Sequence, residues 1–182
     1  MKKLIILLSI AAFAVSCSSS KETAMSGPDA RKSKKLANEE VIKKAVESRR
    51  YVIKFNKLIS AGGGYIDLIP SSNFVIMNGG IASVSLFYSG RSMLSRPISA
   101  INFNGHAITY EMKSDQGKGM YSINRRVKKG ADNFDLYISI GKGGSCSLSV
   151  VNPHIQSVTY QGTVMPIPSE EEQIMQGEQK RL

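Results

Sequence analysis

Few residues in this 182-residue chain are equipped for chemistry: two cysteines, two histidines, and one aromatic, glycine and arginine turn, Tyr88-Ser89-Gly90-Arg91. A ring and a guanidinium beside a glycine can make a contact for an anion or a sugar ring, because arginine offers both cation–π attraction and a planar fork of donors. The competing reading packs Tyr88 into the fold and pairs Arg91 with a carboxylate such as Glu111 or Asp67. His106 and His154 stand in turns with no cysteine or acidic cluster beside them, so neither a metal nor any other cofactor is expected. The glycine runs Gly62-Gly63-Gly64, Gly117-Lys118-Gly119 and Gly141-Lys142-Gly143-Gly144 lack phosphate-loop spacing and do not lie between a strand and a helix. No Gly-x-Ser-x-Gly segment occurs, and no acid or base is tied by spacing to a serine or cysteine. The expectation is a protein that is not an enzyme.

Cys17 carries the clearest chemistry. Lys2 and Lys3 precede an apolar run from Leu4 to Val15, about a dozen residues, which fits a signal peptide and is short of the roughly 20 residues of a spanning helix. Ala14 and Ser16 supply a small-residue cleavage pattern suited to ordinary secretion. Ser16-Cys17 followed by Ser18, Ser19 and Ser20 instead resembles a bacterial lipobox, in which the cysteine is acylated, as with palmitate, and becomes the new N-terminus; Ala14 departs from the leucine usual there. Lipidation at Cys17 is the favoured expectation. Cys146 is then the only other cysteine, without an intrachain partner, and its alternation with Leu148 and Val150 points it into a core.

Loss of Lys2 and Lys3 with the signal leaves 22 basic against 14 acidic side chains. The excess concentrates between Asp29 and Lys57, where ten Lys/Arg face four acids. Arg31, Lys32, Lys34 and Lys35 therefore sit close behind the anchor, where each basic side chain near an anionic bilayer contributes on the order of 1 kcal/mol; a solvated helix face is the alternative. No nucleic-acid recognition motif is present, so nucleic acid is not an expected partner. Arg125-Arg126-x-Lys128-Lys129 reads as a solubilising hairpin tip, with contact to anionic lipid or glycan as the alternative.

These residues need elements to hold them. Residues 1–16 form the signal peptide and 17–37 a Ser-, Lys- and Gly-containing tether. Asn38 caps a short amphipathic helix ending near Arg50. From Tyr51 to Val164 the apolar period is two, with turn residues every eight to twelve positions, which predicts about nine antiparallel strands. Asn78-Gly79-Gly80, Asn104-Gly105, Lys129-Gly130-Ala131-Asp132 and Gly141 to Gly144 are the predicted hairpin turns. Such a sheet removes its edges by closing, so the fold class is all-β, an antiparallel up-and-down barrel or strongly bent sheet, with a Greek-key β-sandwich as alternative. The domain spans 38–165, and 166–182 is an acidic tail.

Several segments together resemble a known family: Tyr51-x-x-x-Phe55, Leu86-Phe87-Tyr88-Ser89-Gly90-Arg91, Ile101-x-Phe103, Gly144-Ser145-Cys146-x-Leu148-x-Val150 and Ile155-x-x-Val158-x-Tyr160-x-Gly162. In order and spacing they are similar to the uncharacterised lipoprotein family called domain of unknown function 4251, found mostly in Bacteroides and relatives. The resemblance runs from about Arg31 to Val164, with Phe87 standing where the family often has proline. It implies a lipocalin-like barrel in the cell envelope and implies no activity. The functional expectation is a lipid-anchored envelope protein, at the outer membrane and facing the periplasm, that binds a small ligand or a protein partner without catalysis. A structural or assembly role through the outer surface is the alternative, and an envelope hydrolase the distant one.

Overall fold

The computed structural model describes residues 28–60, 62–91, 98–115 and 117–167. One helix, α1 (Pro28–Glu47), is followed by nine strands: β1 (Arg50–Ile59), β2 (Tyr65–Asp67), β3 (Phe74–Asn78), β4 (Ile81–Phe87), β5 (Ala100–Asp115), β6 (Met120–Lys129), β7 (Asp132–Gly141), β8 (Ser145–Asn152) and β9 (Ile155–Pro166). Every pairing is antiparallel, and neighbours in sequence are neighbours in the sheet from β3 to β9. β1 pairs with β3 on one side and with β9 on the other, closing an eight-stranded barrel. β2 lies outside that ring and pairs only with the last residues of β1, Lys57 to Ile59. The up-and-down expectation holds, and the sandwich alternative does not.

Alternation builds the core. Phe134, Leu136, Ile138 and Ile140 of β7, and Cys146, Leu148 and Val150 of β8, point inward, while Asp135, Ser147 and Ser149 point outward. Buried apolar side chains from all eight barrel strands form one cluster, joined by Ile42, Ala45 and Val46 of α1. Apolar inside and polar outside is the reverse of the pattern in a membrane-spanning barrel. Among the described residues no helix is long and apolar enough to cross a membrane. β1 changes parity, from Tyr51, Ile53 and Phe55 to Leu58, through a bulge between Phe55 and Lys57. Gly162 lies opposite Phe55, where a Cβ would fall 2.1 Å from the Lys54 carbonyl oxygen, so the seam between β1 and β9 requires glycine.

Three expectations need correction. The helix begins at Pro28, ten residues before Asn38, because proline suits the first helical turn. Asn38 is an interior residue of α1, and its amide donates to Gly143 O at 3.4 Å. Asn104-Gly105 is not a turn but lies within β5, opposite Ser83 and Ala82. A Cβ on Gly105 would meet Val127 Cγ1 at 2.4 Å and Lys128 O at 2.6 Å, so the glycine serves close strand approach. His106 is consequently an exposed strand residue, whereas His154 does sit in the turn after β8, with Nε2 3.8 Å from Asp132 Oδ1. The signal peptide, Cys17 and the tail from residue 168 lie outside the described residues.

Candidate functional site

One end of the barrel gathers the distinctive turn. Tyr88 is buried, and its hydroxyl proton is shared between Arg91 O at 2.7 Å and Gln156 O at 3.0 Å. Its ring folds over Gly90, where a Cβ would lie 2.4 Å from the phenol oxygen. The Gln156 N–H donates to Arg91 O at 2.9 Å, and Gln156 Oε1 accepts from the Arg91 N–H at 3.3 Å. Tyr88 and the Arg91 backbone thus stitch the loop after β4 to the start of β9. The Arg91 side chain is exposed, and among the described residues it makes no ion pair with Asp67, Glu111 or any other carboxylate. Tyr160 donates to Phe87 O at 3.0 Å, and Asn73 Oδ1 accepts from the Phe87 N–H at 2.7 Å. Asn152, also buried, donates to Asn133 O and accepts from the His154 N–H, both at 2.9 Å. Each of these buried polar side chains has a partner.

The opposite end, where α1 packs, is built otherwise. Arg125 alternates with Ile123 and Val127 on the inner face of β6, and it is 0 % exposed. Its guanidinium reaches the turn between β3 and β4 at Gly79. This burial corrects the expectation of a charged tip for Arg125 alone: Arg126, Lys128 and Lys129 are exposed, with Arg126 in a bidentate pair with Asp135 at 2.7 and 3.0 Å. Arg125 Nη2 donates to Gly79 O at 3.0 Å and Nη1 reaches Met77 Sδ at 3.3 Å, while Nε has no partner among the described residues. The Tyr51 hydroxyl nearby is buried, and although Tyr110 is close enough to perturb it, no hydrogen bond of good geometry forms. Arg49 and Arg125 both approach the Tyr110 ring, with Cζ atoms 4.2 and 5.6 Å from its centroid.

Electrostatics follow from burial. Desolvation pushes the Arg125 guanidinium below its ordinary value, and the Arg49 charge adds to the effect. Desolvation raises Tyr51 far above the usual phenol range and raises Tyr110 less, the latter held back by Arg49. The Cys146 thiol, close enough to Tyr51 to perturb it, is pushed up to about 12 by burial alone, which suits a packed thiol and not a nucleophile.

Comparison with known proteins identifies the lineage. The family model described as Domain of unknown function (DUF4251) matches residues 33–164. The chain belongs to this family. A crystal structure of a DUF4251 family protein from Bacteroides eggerthii DSM 20697 superposes with a TM-score of 0.61 at 14 % identity, covering 71 % of this chain and 88 % of that one, which establishes a common fold. No curated protein matches.

On the outside of this DUF4251 barrel, Arg31, Lys32, Lys34 and Lys35 are exposed along the first turns of α1. Lys35 joins Lys118, Lys142 and Glu39 in lining an open cleft of about 770 Å³. A second cleft, about 580 Å³, lies between the chain leaving β2 and the ends of β4 and β5, where Ile69 is 69 % and Phe87 41 % exposed. Among the described residues no three His, Cys, Asp or Glu side chains cluster as metal ligands would. The Arg125 cluster escaped sequence inspection, yet the alternation of Ile123, Arg125 and Val127 was the signal that could have found it.

Proposed function

We propose that this DUF4251 protein is a lipid-anchored, noncatalytic binding protein of the cell envelope, attached through Cys17 at the outer membrane and facing the periplasm. The observation that carries the binding role is the uneven satisfaction of the barrel's buried polar groups. The interior is occupied by large side chains such as Tyr51, Phe55, Leu58, Tyr88 and Tyr160, so a partner is met at an end or on the outer surface. The α1 end offers donors that have no partner among the described residues. It is also the end from which the chain runs back toward Cys17, with Arg31, Lys32, Lys34 and Lys35 exposed along the way. Attachment rests on the lipobox-like sequence and the basic arm. The exposed Ile69 and Phe87 beside the second cleft favour a further contact with an envelope protein.

Metabolic labelling with a fatty acid tests the anchor. Native chain is expected to carry the label and sediment with membranes, and Cys17→Ala to lose both. Label that persists in the variant defeats the lipoprotein reading.

A further inference from the structure

Arg125 is the chain's main electrostatic anomaly. A guanidinium has five N–H donors and no acceptor, so a buried one needs both partners and a counter-charge. Among the described residues Arg125 finds one carbonyl, one thioether and the face of the Tyr110 ring, and its Nε finds nothing. Among the described residues no carboxylate lies within ion-pair distance of either Arg125 or Arg49. The Tyr51 hydroxyl is a second buried donor without a partner in the same place.

Arg49 supplies an independent observation. Its φ is 58°, the left-handed region that favours glycine, and it is the only such non-glycine residue among those described. The Gly79 N–H holds this backbone through Arg49 O at 3.0 Å, and Gly79 O accepts from Arg125. One turn residue therefore fixes both arginines. The unusual backbone ends α1 and delivers the Arg49 guanidinium to the Tyr110 ring that Arg125 also approaches. A strained backbone that brings two like charges together, with free donors between them, is poor packing unless a negative group completes it.

We propose that Arg49, Tyr51, Tyr110 and Arg125 form a binding site for a phosphate-class oxyanion, a phosphomonoester, at the α1 end of the barrel. This rests on the binding role proposed above but not on the lipid anchor. Two guanidiniums match the charge of a phosphate group at neutral pH, which lies near −1.5 to −2, better than the single charge of a carboxylate. Arg125 Nε and the Tyr51 hydroxyl add donors for its remaining oxygens. The exposed Arg49 side chain lies across the Tyr110 ring and swings off it to admit the group. The phosphate belongs either to a soluble ester or to a lipid headgroup, since this end of the barrel is the one tethered toward Cys17.

The test uses the full chain purified in detergent, titrated with glycerol phosphate at constant ionic strength and followed by calorimetry and thermal unfolding. Saturable binding with a rise in Tm is expected. Arg125→Met should abolish it, and Arg49→Ala and Tyr51→Phe should each weaken it by about tenfold, the scale of one hydrogen bond to a charged group. If Arg125→Met does not fold, the exposed Arg49 and the conservative Tyr51→Phe carry the test. Absence of saturable binding, undiminished binding in Arg49→Ala and Tyr51→Phe, or equal binding of acetate overturns the proposal. A short-chain phosphatidate that binds more tightly than glycerol phosphate identifies the lipid headgroup as the source, and equal binding identifies a soluble ester; either supports the site. Loss of fatty-acid labelling would leave this result standing, and loss of phosphate binding would leave the anchor standing.

Discussion

At the Tyr88 end of the barrel, two phenols and two asparagines are buried, and each ends on a backbone atom that also ties a loop to a strand. At the α1 end, a phenol and a guanidinium are buried just as completely, and each keeps a donor without a partner. Both ends have shed water, so the desolvation cost is common to them. Only at the Tyr88 end is it offset by hydrogen bonds within the chain. The difference separates two uses of buried polarity. Tyr88, with its neighbours, ties residues 88–91 to the start of β9, while Arg125 and Tyr51 keep donors without partners among the described residues. The turn that looks most like a binding motif in the sequence engages its Tyr88 hydroxyl and Arg91 backbone in structural contacts and leaves the Arg91 side chain exposed.

The contrast can be broken by experiment. Its largest expected consequence is alkaline instability, led by Cys146 and Tyr51 at the α1 end and shared by the phenols at the other. Cys146 is held neutral in the fold, with its pKa raised from 9.0 to about 12. Its contribution is full below pH 9, where the unfolded thiol is also neutral, and is lost as the pH rises from 9 toward 12. At about 1.36 kcal/mol per unit the loss approaches about 4 kcal/mol. Tyr51, Tyr88 and Tyr160 are raised in the same direction and add to it. Urea unfolding at pH 8 and pH 11 should show the fall; equal midpoints would mean that these groups ionise without unfolding.

Removing the cation should have a smaller effect of opposite sign. In Arg125→Met, measured without phosphate, an apolar side chain replaces a charge that has no counter-ion, and stability is expected to hold or rise by about 1–2 kcal/mol. A loss above about 2 kcal/mol in denaturant unfolding would show that Gly79, Met77 and Tyr110 satisfy Arg125 by themselves, and the two ends would then be alike. The finest comparison uses one substitution twice. Tyr160→Phe strips Phe87 O of its donor and should cost about 1–2 kcal/mol, whereas Tyr51→Phe removes a hydroxyl that bonds nothing and should change stability by less than about 0.5 kcal/mol. Equal costs would erase the distinction.

Much of the barrel was legible because half-buried strands alternate. β6, β7, β8 and β9 follow their apolar period closely, and the turns at Gly79, Gly130 and Gly144 adopt the positive φ their sequences require. The first half of β5 was hidden by Asn104-Gly105, whose local signal is a hairpin; the requirement for glycine came from Val127 and Lys128 across the strand pair, which no local window contains. Arg125 was misjudged because charge was allowed to outrank period: two adjacent arginines suggest a surface, although a strand must send them to opposite faces. Tyr88 meets Gln156 across 68 positions, and the Arg49 to Gly79 contact likewise depends on closure of the barrel. Such pairings follow from topology, and the sequence pattern does not announce them.

The seam between β1 and β9 has a kinetic consequence. Pairings from β3 through β9 are made between successive strands, so they require only loops of two to twelve residues to close. Tyr51 meets Pro166 only when the two ends of the domain come together, and that search costs far more chain entropy than any hairpin. The seam therefore forms late in folding, and until it does, the open edges of β1 and β9 are exposed to other chains. A close fit such as Gly162 against Lys54 sets how readily the last bonds form, so substitution there would act on the yield of folded protein as well as on its final stability.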